Sequence, residues 1–178
     1  MFDVKREVAE VMYDLVLKKD INHITVTALI EASGISRSTF YRHFKDKYDV
    51  MFYYYRMEVD ALFKEEIRDW KEHLFYIFNF IQYRRHFFSR VFNLEGPNSF
   101  ISFLYQYSFE FYEREYKKRY RKNLTIQDRY IVEYVCAGSV ELVKKWIKNG
   151  YQESAESMAT LTFDLLPKKI QDIFIHDA

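Results

Sequence analysis

The chain has 178 residues and a formal net charge of +1, with 27 Lys and Arg against 26 Asp and Glu. A charge this close to zero gives no general argument for nucleic-acid binding, which would need a local cluster of positive residues. The length is compatible with one domain or with two small ones. Because there are only four Gly and two Pro, and the apolar residues recur at helical spacing, the sequence predicts an all-α fold.

The sequence favours a cytoplasmic protein. Its single cysteine, Cys136, cannot form an internal disulfide, which is typical of a reducing compartment. The first residues mix charged with apolar side chains and do not resemble a secretory signal. The longest apolar stretches, such as 74–81, are far shorter than the roughly 20 residues that a membrane-spanning helix needs. We therefore expect no membrane partner.

Three helices are predicted before residue 46. An amphipathic helix over 4–17 comes first, and Thr25 is well placed to cap a second helix. Gly34 stops that helix, and Ser36 caps a short third helix that begins at Arg37. One small core is predicted for these helices, formed by Val26, Leu29, Ile30, Ile35, Phe40 and Phe44.

A long helix capped by Asp46 should link this unit to a second helical module. An aromatic helical segment is predicted over 70–93, and Pro97 then suits the start of a helix that continues to about residue 122. The next helix covers 126–148, and a last one meets Pro167, which should kink or end it. The predicted domains are therefore residues 1–48 and residues 49–178.

The segment 24–50 has the pattern of a helix-turn-helix. Its third helix turns apolar residues inward and leaves hydrogen-bonding side chains on the outer face. Such a helix fits the major groove of DNA, where Arg reads guanine edges and hydroxyl groups bond bases or phosphates. Positive charge is also in excess between residues 37 and 47. The candidate DNA-contacting residues are Thr27, Ser36, Arg37, Ser38, Thr39, Tyr41, Arg42, His43 and Lys47.

Residues 3–50 closely resemble the DNA-binding domain of TetR-family regulators. The residues that carry the resemblance are Ala32, Gly34, Ile35, Ser36, Thr39, Phe40, Tyr41, His43, Phe44 and Lys47. The resemblance implies a homodimer that binds a partly palindromic operator in double-stranded DNA. It also implies a transcription regulator, with repression as the default direction and activation as an alternative.

The second module resembles, more loosely, the C-terminal domain of regulators related to the dihydroxyacetone-kinase operon activator. The residues responsible are Tyr134, Gly138, Trp146, Ile147, Gly150, Ser154 and Ala159. The resemblance implies that the last two long helices form a dimer interface. Our candidates for it are Val132, Val135, Val140, Val143, Met158, Leu161 and Leu165, although each of these is about as well explained as core of a single chain.

Aromatic residues form 20% of the chain, which is more than a minimal core requires. This excess predicts a ligand cavity among the helices of the second module, and so a small-molecule effector. The candidate lining residues are Phe80, Tyr83, Phe88, Tyr105, Phe109 and Tyr112. For any one of them, ordinary core packing is the stronger alternative.

Catalysis is not supported by the sequence, because no phosphate-binding Gly motif, zinc-binding His pair or nucleophile elbow is present. We expect no enzyme activity, no cofactor and no metal. The competing hypothesis is a helical coregulator that binds a protein partner and has a degenerate DNA motif. Intact polar residues such as Arg37, Tyr41 and Lys47 argue against degeneracy. A basic run over 114–122 is best explained as a solvated helix end.

Overall fold

The computed structural model describes residues 3–62 and 69–174, which form α-helices and two short 3-10 turns without any strand. The predicted domain ranges also include residues 1, 2, 63–68 and 175–178, which lie outside the described residues. The all-helical prediction is confirmed. None of the described helices is both long and apolar enough to cross a membrane.

The helices are numbered in chain order, and the 3-10 turns lie at Ile21–His23 and Asp172–Phe174. Their bounds are α1 (Val4–Lys18), α2 (Val26–Ser33), α3 (Arg37–His43), α4 (Lys47–Leu62), α5 (Trp70–Tyr83), α6 (Arg85–Val91), α7 (Phe100–Tyr120), α8 (Ile126–Lys148), α9 (Ala155–Asp164) and α10 (Lys168–Gln171).

The first three helices enclose a small core, against which the start of α4 packs. Val8, Met12 and Val16 line the inner face of α1 and are fully buried. Leu29 of α2 and Phe40 of α3 are fully buried as well. Since burying a side chain of this kind contributes about 1.5–3 kcal/mol, this shared core fixes α3 in position relative to α2.

The predicted helix starts are confirmed by side-chain caps. The hydroxyl groups of Thr25 and Ser36 each accept the backbone N–H three residues later, at 3.1 Å. The Asp46 carboxylate accepts the two backbone N–H groups at the start of α4, at 2.8 and 2.9 Å. Gly34 ends α2 in the left-handed region, with φ 66°, and so permits the sharp turn into α3.

Replacing Gly34 with alanine should destabilise the protein although no neighbouring atom lies within 4 Å of the added methyl group. The left-handed backbone costs an L-residue roughly 1–2 kcal/mol, which lowers Tm by about 2–8 °C for a chain of this size. Gly34→Asn should cost less, because asparagine tolerates this conformation better. Thermal unfolding measures both variants, and an alanine variant as stable as the wild type would contradict the strain argument.

In the second module the helices run alternately away from α1 and back towards it. The start of α5 lies far from α1, at Trp70, and its end at Arg84 lies beside α1. The α7 helix starts at Phe100 against Phe88 of α6 and passes Trp70 at Phe111, so that it runs away from α1. Its basic end is therefore at the opposite end of the molecule from α3.

Two boundaries differ from the sequence prediction. The segment 70–93 is not one helix, because the chain turns at Arg84, whose φ and ψ of −95° and 27° lie outside the helical region. Pro97 does not start α7. Ser99 does, because its hydroxyl accepts the backbone N–H of Ser102 at 3.1 Å and leaves Pro97 in the preceding turn.

A buried carboxylate joins the far ends of α7, α8 and α10. Asp128 accepts hydrogen bonds from the Tyr116 hydroxyl and the Thr125 hydroxyl, both at 2.7 Å, and pairs with Lys169. Burial alone would raise the pKa of Asp128, but these three partners outweigh burial and hold the pKa well below its usual range. This cluster fixes the chain after α9 against the start of α8.

Candidate nucleic-acid interface

The outer face of α3 carries a compact group of polar side chains. Arg37, Ser38, Tyr41 and Arg42 are exposed, whereas Phe40 on the opposite side is fully buried. The Tyr41 side chain is 48% exposed despite its size. A buried aromatic residue thus anchors the helix while its polar face remains open to a partner.

Arg37 and Tyr41 are one turn apart on this face and interact directly. The guanidinium carbon of Arg37 lies 5.4 Å from the centroid of the Tyr41 ring. The Tyr41 ring also meets Phe40 edge-on, with centroids 5.3 Å apart and planes at 84°. Such contacts limit the rotamers of both exposed side chains and so reduce the entropy lost on binding a partner.

Other candidate contacts lie around this face. The Ser36 hydroxyl caps α3 and also lies 2.9 Å from the hydroxyls of Ser38 and Thr39. Thr27 is exposed in the first turn of α2, and His43 is half-buried at the end of α3. The structure therefore brings the hydroxyls of Ser36, Ser38 and Thr39 together at the start of α3, while the contacts of all these residues with DNA stay predictions.

Lys47 has an internal role that the sequence did not indicate. Its ammonium group donates hydrogen bonds to the backbone carbonyls of Ile21, Asn22 and Ile24, at 2.7, 3.1 and 2.8 Å. These three bonds use all three of its N–H groups. Lys47 therefore ties the start of α4 to the turn before α2, and a phosphate would have to compete with these carbonyls.

Replacing Lys47 with methionine should lower stability, because it removes three charge-assisted hydrogen bonds from a half-buried site. We expect a loss of about 2 kcal/mol, which lowers Tm by about 4–8 °C. The matched control is Lys45→Met, since the Lys45 side chain is exposed two residues earlier, in the loop before α4. Thermal unfolding is the measurement, and equal Tm values for the two variants would contradict the internal role.

The two modules meet through an aromatic cluster beside α1. Tyr13 of α1 stacks on Tyr54 of α4, with centroids 5.2 Å apart and planes at 22°. Phe87 of α6 lies 5.5 Å from Tyr13 and 5.1 Å from Tyr54. The guanidinium of Arg84, at the turn from α5 to α6, lies over Tyr13 at 4.6 Å. Because Phe87 and Arg84 contact Tyr13, a displacement of α6 would change the packing of α1 directly.

The predicted dimer-interface residues are mostly core residues of the single chain. Val132, Val135, Val140, Val143 and Met158 are each at most 8% exposed in the single chain. Val135 nevertheless lines a surface groove between α8 and α9, so the part that these residues play in a dimer stays a prediction. Only Leu161 and Leu165 of the predicted set are exposed.

The surface of α8 and α9 that faces away from the core exposes large apolar residues. Those on α8 recur every four residues, a spacing that the sequence displays but that we assigned to no surface. Tyr134 is 76% exposed and Leu165 is 59% exposed. A groove of about 310 Å³ lies between the two helices there. We call this surface the α8–α9 face; it comprises Ile126, Tyr130, Tyr134, Gly138, Leu161 and Leu165.

Two family models match the sequence. The model for bacterial regulatory proteins of the tetR family matches residues 14–54, which contain the helix-turn-helix. A model for the C-terminal region of transcriptional regulators matches residues 68–168, which is more than half of the chain. The chain belongs to the TetR family. No curated protein matches it.

Solved structures of TetR-like regulators share this fold at low sequence identity. The dihydroxyacetone kinase operon activator DhaS is 16% identical, with a TM-score of 0.66 over 95% of this chain and 97% of its own. The fatty acid degradation regulator FadR from Bacillus halodurans is 17% identical, with a TM-score of 0.58 over 93% and 95%. The TetR family repressor AlkX from Dietzia sp. is 15% identical, with a TM-score of 0.56 over 98% and 99%.

A cavity of about 80 Å³ lies between α5, α7 and α8 of this TetR-family chain, with α4 and α9 at its sides. Leu74 and Phe78 of α5, Leu104 of α7 and Val140 of α8 supply much of its apolar wall. The volume is well below the roughly 300–1,000 Å³ of typical ligand pockets. The aromatic side chains thus fill most of the space that the sequence analysis assigned to a ligand.

Of the six predicted lining residues, only Tyr112 lies on this cavity. The prediction is wrong for Tyr83, which is 79% exposed. Phe80 and Phe88 belong to an aromatic cluster and contact each other edge-on at 5.3 Å. The remaining candidates, Tyr105 and Phe109, lie on other faces of α7 and do not line the cavity either.

The described residues bring together no group of three or more His, Cys, Asp or Glu side chains that could hold a metal ion. Cys136 is fully buried and lines the cavity. Burial raises the pKa of its thiol to about 12, and the nearby Glu133 carboxylate adds to the shift. The thiol is therefore protonated at neutral pH and is a poor nucleophile.

Proposed function

We propose that the protein is a homodimeric, sequence-specific transcription regulator that binds a partly palindromic operator and responds to a small effector. The observation that carries the proposal is the polar face of α3, held outward by the buried Phe40. A short helix presented in this way fits the major groove of DNA. Double-stranded DNA in the cytoplasm is the proposed target.

The side chains of α3 divide between reading bases and positioning the backbone. Arg37 is exposed at the start of the helix, where it can bond a guanine edge, and Arg42 adds positive charge nearby. Tyr41 offers a hydroxyl group for a phosphate oxygen. Ser38, Thr39 and the neighbouring residues Thr27, Ser36, His43 and Lys47 complete the proposed set of contacts.

The proposed dimer forms through the α8–α9 face. Exposed apolar residues aligned on two adjacent helices lose unfavourable hydration when a second copy covers them. A two-fold axis through this surface would place two α3 helices on two half-sites about 34–36 Å apart, one turn of DNA.

Repression is the direction that we propose for the regulator. A dimer covering both half-sites competes with other proteins for the same DNA, so repression needs no additional contact. Among the structures of similar fold, AlkX is named a repressor and DhaS an activator. Activation is therefore the alternative within the same class of protein.

Selection from random-sequence DNA tests the proposed DNA binding. We expect enrichment of a partly palindromic site, with binding that weakens as salt rises. Tyr41→Phe should weaken binding of the dimer to all sequences by about 2 kcal/mol, or about thirtyfold, because one phosphate hydrogen bond of about 1 kcal/mol is lost at each half-site. Arg37→Gln should change the selected bases at one position of each half-site.

The matched control is Lys122→Gln, because Lys122 is exposed at the end of the molecule far from α3. This variant should keep the affinity and the salt dependence of the wild type, whereas a weaker salt dependence would show that the basic run contacts DNA. Failure to enrich any sequence would favour the helical coregulator with a degenerate DNA motif.

Leu165→Glu tests the proposed dimer, because it places a carboxylate within the α8–α9 face. We expect a monomer at concentrations where the wild type is a dimer, and operator affinity at least about tenfold weaker because only one half-site is held. Sedimentation velocity gives the mass. Tyr83→Glu is the control, since it changes an equally exposed aromatic residue on another surface. A Leu165→Glu variant that remains dimeric would exclude this interface.

A further inference from the structure

Thr162 of α9 is a buried polar residue whose hydroxyl group has no hydrogen-bond partner among the described residues. The residue is 4% exposed and lines the cavity between α5, α7 and α8. Within a helix, a threonine hydroxyl usually bonds a carbonyl of the preceding turn. A buried hydroxyl left unpaired costs about 1–3 kcal/mol, so a partner that enters the cavity would recover this energy.

The walls of the cavity define the charge of such a partner. All described residues that line it are uncharged, including Cys136, Ser108 and Ser139. Moving an ammonium or carboxylate group into this space would remove its hydration without supplying an ion partner. The cavity thus disfavours ionised molecules and retains neutral ones.

The volume defines the size of the partner. A space of about 10–15 Å³ holds one water molecule, so a cavity of about 80 Å³ accommodates a small molecule of about five to eight non-hydrogen atoms. Long acyl chains and polycyclic molecules are too large. A ring or short chain with one polar group matches both the space and the unpaired Thr162 hydroxyl.

We propose that this cavity binds a small neutral molecule, about five to eight non-hydrogen atoms in size, that is apolar except for one hydroxyl or carbonyl group bonded to Thr162. The proposal names the class of the effector and rests on the proposed effector response. Thr162 determines the specificity, because it separates a polar ligand from a hydrocarbon of the same shape.

The test compares three ligands of nearly equal shape: cyclohexanol, methylcyclohexane and cyclohexylammonium. Binding to the full chain is measured by ligand-observed NMR and by the shift in Tm. Cyclohexanol should bind threefold to tenfold more tightly than methylcyclohexane, the range expected for one buried hydrogen bond. Cyclohexylammonium should not bind.

Thr162→Val should remove the preference for cyclohexanol over methylcyclohexane and raise the Tm of the free protein by a few degrees. Thr162→Ser should keep the preference, since it keeps the hydroxyl group. Thr160→Val is the matched control, because Thr160 lies on the same helix and does not line the cavity. The control should leave the preference unchanged.

Three results would overturn the proposal: no binding of the neutral ligands, binding of cyclohexylammonium, or an unchanged preference in Thr162→Val. DNA binding is measured on the same preparations. Selective DNA binding without any neutral ligand would reject the cavity ligand and leave the DNA-binding regulator standing. Ligand binding without selective DNA binding would reject the proposed regulator and leave the cavity site standing.

Discussion

The contact between Tyr13 and Arg84 is the constraint on which the arrangement of the molecule depends. The polar face of α3 and the cavity lie in different modules, and an aromatic cluster of Tyr13, Tyr54 and Phe87 joins those modules. Arg84 closes this cluster at the turn between α5 and α6. Since α5 also supplies part of the cavity wall, one helix connects the cavity to the contact that holds α1.

This arrangement would give the proposed effector a short physical route to the helices that carry the helix-turn-helix. Residues of α5 from Trp70 to Ile81 line the cavity, so a displacement of this helix would reach Arg84 and, through Tyr13, α1. The route uses packed side chains and one continuous helix, which transmit small displacements better than loops do. The α8–α9 face lies on the other side of the cavity, where Thr162 and Ser139 border both the cavity and the surface groove.

The sequence predicted the helix-turn-helix well because local chemistry determines it. Caps at Thr25 and Ser36 and the left-handed Gly34 act within a few residues, and their signals can be read directly. The sequence left open which faces of the long helices are buried within the single chain. Helical spacing shows that Val132 and Tyr134 lie on different faces of α8, but it does not show which face meets α7.

For the same reason, only one of the six predicted lining residues borders the cavity. Aromatic residues at helical spacing describe a core, whereas the space left over depends on how side chains from five helices interlock. Thr162 shows the limit most clearly, because a threonine within a helix carries no sequence signal of being unpaired. Only the packed structure shows that its hydroxyl lacks a partner among the residues that the structure describes.

The bonding of Lys47 has a consequence for which amino acids this position can accept. The three carbonyls that it binds converge on one point, and a tetrahedral ammonium group can direct an N–H bond to each of them. A guanidinium group is planar and spreads its N–H bonds in a fork, so arginine would satisfy fewer of the three. An exchange of lysine for arginine, which keeps the charge and appears harmless in an alignment, would therefore loosen the loop that precedes α2.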